Sequence, residues 1–179
     1  MNDVLFIYNH GLLDFSDNID YTAPVTREEF CRYAAGVLHG RPLAVETEYR
    51  PMESYISPFS DTASHEVAML YEYGIIKGKS EKVFAPDAYI KREEAAAIMC
   101  RMLECMTGTA LRTESEYTFS DDKSFSSWAK EDIYKAYANG IMNGVGNDQF
   151  NASGNYTLEQ SFATMKRTVI ADSKMRYGN

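Results

Sequence analysis

Apolar residues recur at helical spacing in separate stretches of the chain, and polar residues fill the positions between them. In the stretch "PVTREEFCRYAAGVLHG" (24–40) and in the stretch after Lys91, the apolar positions fall on one helical face. These positions are Phe30, Ala34, Val37 and Leu38 in the first and Ile98, Met99, Met102 and Leu103 in the second. The pattern predicts helices and no strand of consequence.

The predicted helices carry start signals of a recognisable type. Thr26 precedes Glu29 by three residues, and Thr157 precedes Gln160 by three residues. A threonine followed at this distance by Glu or Gln is typical of a capping box, in which each side chain satisfies a backbone N–H of the other residue. Helices are therefore predicted to begin just after Thr26 and Thr157.

The same unit recurs along the chain. One block is centred on a glycine, in "VLFIYNHGLL" (4–13), "VAMLYEYGII" (67–76) and "IYKAYANGIM" (133–142). A second block follows it in "VTREEF" (25–30), "IKREEA" (90–95) and "YTLEQS" (156–161), and "FSD" precedes the later two units at 59–61 and 119–121. Equivalent positions of these two blocks lie 63 to 66 residues apart, which is a strong sign of tandem repeats.

The repeats predict the domain organisation. We expect a first repeat at 1–40 that lacks its opening half, a second with its connector at 41–106 and a third with its connector at 107–179. A single helix–loop–helix unit of this size cannot bury its own apolar face, so the copies must pack on one another. The expected result is one compact all-α domain of about six helices.

Composition and charge narrow the possible functions. The net charge is −8, which argues against non-specific nucleic-acid binding through a basic field. Cys31, Cys100 and Cys105 lie in apolar helical runs and are expected to be reduced core residues. No apolar run approaches the ~18 residues that a membrane span needs. The start "MNDVLFIYNHG" lacks the features of a secretory signal, which fits either a cytoplasmic protein or a fragment of a longer one.

The matched residues together resemble the S-layer homology (SLH) family of bacterial cell-wall anchoring modules. The third unit supplies Phe119, Asp121, Trp128, Gly140, Gly144 and Phe150; the second supplies Phe59, Asp61, Gly74, Gly78, Phe84, Pro86, Arg92 and Glu94; the first supplies Gly11, Thr26, Arg27 and Glu29. The resemblance implies a pseudo-threefold bundle of three helix–loop–helix repeats. It also implies grooves between neighbouring repeats that hold secondary cell-wall polysaccharide, often with a pyruvate ketal.

The resemblance implies a set of ligand-binding residues, with the arginine of the T-R-x-E segment as the principal contact. In this chain the set comprises Arg27, Arg92, Trp128, Asp61, Asp121, Gly78 and Gly144. A guanidinium is a forked donor suited to a carboxylate, and a helix amino terminus offers further N–H groups to an anion. No catalytic residue, cofactor or metal is expected.

Each of these residues also has a purely structural interpretation. Arg27 and Arg92 could be solvated arginines paired with the glutamates beside them, and Trp128 could pack at a helix start. Asp61 and Asp121 are expected to cap the segment that follows each of them. Gly78 and Gly144 would then be needed only for their turns.

Departures from the family pattern support a second hypothesis. Leu158 stands where the third repeat should carry its arginine, Lys91 replaces a capping threonine, and residues 62–65 contain no tryptophan. The first hypothesis is an extracellular module that anchors a longer parent protein to the bacterial surface. The alternative is a diverged copy of the fold that serves protein interaction or structure without binding glycan.

Overall fold

The computed structural model describes residues 19–38, 43, 50–113 and 117–178, and within these ranges it contains helices and no strand. The α-helices are α1 (Arg27–Leu38), α2 (His65–Glu72), α3 (Arg92–Thr107), α4 (Lys130–Ala138) and α5 (Leu158–Tyr177). Two single 3-10 turns span Met52–Ser54 and Asp122–Ser124. The all-α prediction is confirmed. The helix predicted around Gly11 lies outside the described residues.

The helix starts follow the predicted capping chemistry. The backbone N–H of Thr26 donates to Glu29 Oε2 at 2.7 Å, and the N–H of Glu29 donates to Thr26 Oγ1 at 3.2 Å. Thr157 and Gln160 make the same reciprocal pair. At the start of α3 only half of this arrangement exists, because Lys91 has no side-chain acceptor and only its backbone N–H donates, to Glu94 Oε2 at 2.9 Å.

The glycines that end the first helix of each later repeat adopt the left-handed conformation. Gly74 has φ 71° and Gly140 has φ 70°. This conformation is open to glycine because it has no Cβ, and it lets the last carbonyls of the helix find partners. The apolar pairs that follow, Ile75-Ile76 and Ile141-Met142, are buried in the core as the pattern predicts.

Three equivalent backbone hydrogen bonds close a ring at the centre of the bundle. The N–H of Val25 donates to the carbonyl of Tyr156 at 2.9 Å, the N–H of Tyr156 to that of Ile90 at 2.9 Å, and the N–H of Ile90 to that of Val25 at 3.0 Å. Each residue lies just before the second helix of its repeat. The ring gives the bundle a pseudo-threefold arrangement, while the repeat boundaries at 40/41 and 106/107 stay a prediction.

A second set of contacts surrounds this ring at the helix starts. The N–H groups of Arg27, Arg92 and Leu158 donate to the carbonyls of Ala88, Gly154 and Ala23 at 2.9 to 3.0 Å. The next N–H in each helix donates to a carbonyl two residues earlier in the same loop. The start of each second helix is therefore hydrogen-bonded to the loop of another repeat.

The three cysteines are buried and free, as the sequence predicts. Burial in the apolar core raises the pKa of the Cys31 thiol to about 12, because the charged thiolate loses its hydration there. Burial likewise raises the pKa of Cys100 and Cys105. Of the helices in the described ranges, none combines the length and the apolar composition that a membrane crossing requires.

Ala85 holds an unfavourable backbone conformation, with φ 61° at the position where the third repeat has Asn151 at φ 60°. Asparagine tolerates the left-handed region, whereas the Cβ of alanine disfavours it. We expect Ala85→Gly to raise the free energy of unfolding by about 0.5–1 kcal/mol. The change removes the backbone strain of alanine at positive φ, and part of this gain is offset because glycine increases the conformational entropy of the unfolded chain. Urea denaturation measures the change. Asn151→Gly is the matched control and should change stability less; equal effects at the two positions would contradict the explanation.

Candidate functional site: two grooves between repeats

The aspartates of the FSD segments hold the loop that leads into the second helix of their own repeat. Asp61 accepts hydrogen bonds from the backbone N–H groups of Phe84 (2.9 Å) and Ala85 (2.8 Å). Asp121 accepts from those of Phe150 (2.9 Å) and Asn151 (2.7 Å). The expectation that each aspartate caps the segment directly after it is therefore wrong. Neither aspartate lines either groove described below.

The loop glycines are required by close packing. A Cβ on Gly78 would lie 2.6 Å from the Phe59 ring and 2.8 Å from the carbonyl oxygen of Val83. A Cβ on Gly144 would lie 2.7 Å from the carbonyl oxygen of Gln149. Real side chains do not approach other atoms so closely, so these positions need glycine for the shape of the loop. Both glycines also line a groove, where the bare backbone leaves space.

Groove A is a cavity of about 380 Å³ where the start of α1 meets the second repeat. It is lined by Arg27, Lys77, Gly78, Lys79, Glu94, Ala97, Ile98, Arg101 and Trp128. Its volume falls within the range of about 300–1,000 Å³ that is usual for small-molecule pockets.

Arg27 lines groove A and is only 4% exposed. It stacks over the Phe84 ring, 4.6 Å from the centroid. Its Nε donates to the Phe84 carbonyl at 2.9 Å, Nη2 to the Lys77 carbonyl at 3.2 Å, and Nη1 to Glu94 Oε1 at 3.0 Å. Arg27 is therefore a buried, fully oriented cation whose ion-pair partner lies in the second repeat, 67 residues along the chain.

Groove A is strongly basic for a chain of net charge −8. It holds four cations and one carboxylate, and two of the cations, Lys77 and Lys79, are exposed at its mouth. Arg101 is held by Asp132 at 3.4 Å, and Lys79 forms an ion pair with Glu94. The lining therefore carries a net positive charge, and within a Debye length of about 8–10 Å such nearby charges outweigh distant ones.

Trp128 lies at the rim of groove A, with 55% of its surface exposed. The packing position at the start of α4 is taken instead by Ala129, which is fully buried. Trp128 comes from the third repeat, so groove A is assembled from all three parts of the bundle. An indole exposed beside a cavity is well placed to stack on an apolar sugar face.

Groove B is the equivalent cavity where the start of α3 meets the third repeat, with a volume of about 420 Å³. It is lined by Arg92, Asn143, Gly144, Val145, Tyr156, Glu159, Gln160, Ala163 and Arg167. Two arginines and one carboxylate make this groove less basic than groove A.

Arg92 repeats the placement of Arg27 with fewer hydrogen bonds. Its guanidinium lies 4.8 Å from the Phe150 centroid and 5.4 Å from that of Tyr156, and its Nη2 donates to the Asn143 carbonyl. Its Nε is buried and has no acceptor among the described residues. Burial lowers the pKa of Arg92, and the nearby charge of Arg167 acts in the same direction.

Both arginines are buried, so they are not solvated surface residues, but the expected pairing with a glutamate is present for Arg27, which pairs with Glu94. Their neighbouring glutamates have other partners: Glu93, for example, accepts from the hydroxyl of Ser126 at 2.8 Å. The expectation that free N–H groups of the helix starts would meet an anion is also wrong, because the N–H groups of Arg27 and Arg92 donate to loop carbonyls.

Sequence reasoning missed the basic residues that accompany the arginines, above all Lys79 and Arg101 in groove A and Arg167 in groove B. The helical periodicity of α3 and α5 could have indicated two of them, Arg101 and Arg167. Residues 94, 97, 98 and 101 share one face of α3, and residues 160, 163 and 167 share the equivalent face of α5. Reading these faces for charge would have found Arg101 and Arg167.

Comparison with known proteins identifies the family. Residues 58–96 and 118–160 match the S-layer homology domain. The chain is 32% identical over 143 residues to an endoglucanase of Bacillus sp. (strain KSM-635), and 36% identical over 116 residues to an amylopullulanase of Thermoanaerobacterium thermosulfurigenes. It is 30% identical over 139 residues to the exoglucanase XynX of Acetivibrio thermocellus. The chain belongs to the S-layer homology family.

The relatives are much longer proteins than this chain. The three matches cover 78%, 62% and 78% of the chain, but only 14%, 6% and 12% of the endoglucanase, the amylopullulanase and the exoglucanase. The similarity is therefore to one part of each relative.

The close contacts of Gly78 predict a large cost for adding one methyl group. We expect Gly78→Ala to lower the free energy of unfolding by about 2 kcal/mol or more, because the new Cβ meets a backbone oxygen that cannot move aside cheaply. Thermal unfolding by circular dichroism measures the effect. Ser80→Ala, an exposed change in the same loop, is the control; an unchanged melting temperature for Gly78→Ala would refute the steric argument.

The hydrogen bonds to Asp61 predict a pH-dependent effect. Bonds from Phe84 and Ala85 favour the ionised carboxylate and lower the pKa of Asp61 below its ordinary value of 3.8. The carboxylate therefore stabilises the fold above pH 3.8, and this stabilisation is lost as the pH falls through the lower folded pKa. We expect Asp61→Asn to be less stable than the native chain at pH 7, with a difference that shrinks under acid.

Denaturation curves at several pH values test this expectation. The matched control is Asp87→Asn, since Asp87 is exposed and has no hydrogen-bond partner among the described residues. A stability difference for Asp61→Asn that stays constant down to pH 2 would show that the carboxylate charge is unimportant.

Proposed function

We propose that this chain is a non-catalytic anchoring module that binds an anionic cell-wall polysaccharide in its inter-repeat grooves. The observation that carries the proposal is the pair of grooves, each with a buried arginine in an otherwise acidic protein; groove A adds two exposed lysines and an exposed tryptophan. An acidic chain concentrates cations around one cavity at an electrostatic cost, and an anionic ligand offsets that cost.

The chemistry of the groove fits an acidic sugar. A carboxylate accepts two parallel hydrogen bonds from a guanidinium or a point contact from an ammonium group, and the two grooves together offer both kinds of donor. Trp128 supplies an apolar surface for a sugar ring at the rim. A pyruvate ketal joins two oxygens of a sugar and carries a carboxylate beside the sugar ring, so a pyruvylated glycan would use both features at once.

The family and the relatives support the same interpretation. S-layer homology domains are anchoring modules, and the relatives named above are carbohydrate-degrading enzymes by name. We infer that the module serves at the bacterial cell surface as part of a longer protein whose other domains act on their own targets. Secondary cell-wall polysaccharide is the proposed partner.

The alternative is a diverged module that uses the same fold for protein interaction or structure. Leu158 favours it, since the third equivalent position has an 8% exposed apolar residue and no guanidinium. The ion pair between Arg27 and Glu94 also favours it, because one of the two arginines already has a carboxylate partner. Arg92 has no such partner among the described residues, and this favours anchoring.

Co-sedimentation with purified peptidoglycan sacculi, with and without their attached polysaccharide, tests the proposal. We expect the native chain to sediment only with sacculi that keep the polysaccharide. Arg27→Ala/Arg92→Ala should weaken binding by more than about tenfold, since each change removes a charge-assisted contact worth about 1.5–3 kcal/mol. Lys77→Gln/Lys79→Gln and Trp128→Ala, which change exposed residues and should fold normally, are each expected to weaken binding as well.

The matched control is Arg50→Ala/Arg112→Ala, which removes the same charge outside both grooves. Its binding should equal that of the native chain. A folded native chain that stays in the supernatant with intact sacculi would contradict anchoring and favour the diverged-module alternative. Equal losses in the control and the groove variants would show that only net charge matters.

A further inference from the structure

One difference between the grooves lies at the third residue of their second helices. Glu94 holds this position in α3 and Gln160 holds it in α5. Each side chain accepts a hydrogen bond from the backbone N–H before its helix, Lys91 N–H to Glu94 Oε2 at 2.9 Å and Thr157 N–H to Gln160 Oε1 at 3.3 Å. The two residues therefore have the same place and the same structural task, and they differ in charge.

In groove A the second oxygen of this carboxylate faces the cations that a ligand would need. Glu94 Oε1 accepts from Arg27 Nη1 at 3.0 Å and also binds the ammonium group of Lys79. Glu94 is 7% exposed, so this interaction is shielded from water and from salt. A ligand carboxylate aimed at Arg27 must compete with a carboxylate that the protein itself supplies.

In groove B the equivalent residue, Gln160, is neutral, and the guanidinium of Arg92 keeps hydrogen-bond donors that have no acceptor among the described residues. Among the described residues, the side chain of Arg92 has one hydrogen-bond partner, the carbonyl of Asn143, and no ion-pair partner. The residue is 7% exposed, so its charge is largely removed from water. A buried guanidinium without a counter-charge is costly, and an anion that reaches it gains a contact without displacing another carboxylate.

We propose that residues 94 and 160 determine which groove takes the anionic group of the ligand, with groove B as the primary site. Groove A binds a second anionic group only when the ion pair between Glu94 and Arg27 breaks, or when Lys77 and Lys79 bind the ligand instead. This inference rests on the proposed function, since it takes the ligand to be an acidic glycan.

Reciprocal variants that change charge and keep shape test the inference. The probe is a methyl glycoside that bears a pyruvate ketal, and the same glycoside without the ketal is its neutral control. Two-dimensional NMR follows the backbone amides of Gly78 and Lys79 for groove A and of Gly144 and Val145 for groove B. In the native chain we expect the groove B amides to shift at lower probe concentration, and we expect no shifts with the neutral control.

Gln160→Glu should weaken binding in groove B by about tenfold or more, because it introduces a competing carboxylate. Glu94→Gln should strengthen binding in groove A by about threefold to tenfold, since it removes the existing competitor. Both replacements keep an oxygen that can accept the capping hydrogen bond, and the dispersion of the remaining amide signals reports whether each variant is folded.

Several outcomes would overturn the inference. One is that the amide signals of groove A shift at lower probe concentration than those of groove B in the native chain. The others are a folded Gln160→Glu variant with unchanged affinity in groove B, or no shift of the groove B amide signals at all. The proposed function fails separately, by the sacculi experiment. Loss of sacculus binding with groove B behaving as described would contradict anchoring and leave the role of residues 94 and 160 standing.

Discussion

The arrangement of this protein depends on the ring of three backbone hydrogen bonds that joins Val25, Tyr156 and Ile90. Backbone N–H and C=O groups buried at the centre of a bundle need partners, and here each segment can find them only in another repeat. The ring therefore requires three segments at once. It also fixes where the second helices begin, and so it places Arg27 and Arg92 against the loops of the following repeats.

The chemistry of the grooves follows from that placement. Each arginine lies over a phenylalanine of the next repeat, Phe84 or Phe150, and each loop is kept in shape by an aspartate that binds its backbone. The rings and the loop carbonyls orient the guanidinium before any ligand arrives. Preorganisation of this kind reduces the entropy that a binding site loses when it takes a ligand. The aspartate of the FSD segment thus stabilises the loop that forms part of the groove and does not itself line the groove.

The repeats share this framework and differ in the residues that set its charge. The carboxylate of Glu94 gives groove A an internal partner for Arg27, and Gln160 leaves Arg92 without one among the described residues. At the third equivalent position Leu158 has no guanidinium at all. Repetition of a fold therefore does not imply repetition of a site, since one substitution at a buried position changes the electrostatics of a groove without disturbing its backbone.

The sequence by itself determined the all-α class, the capping boxes and the helix ends at Gly74 and Gly140, because these depend on residues within one turn of each other. Recurrence also singled out Arg27 and Arg92. Only the tertiary structure decided that Arg27 pairs with Glu94, that Asp61 binds a loop more than twenty residues later, and that Trp128 reaches groove A. Helical periodicity shows which face of a helix is buried. It does not show which residues of another repeat meet that face, since that depends on how the three repeats close into a ring.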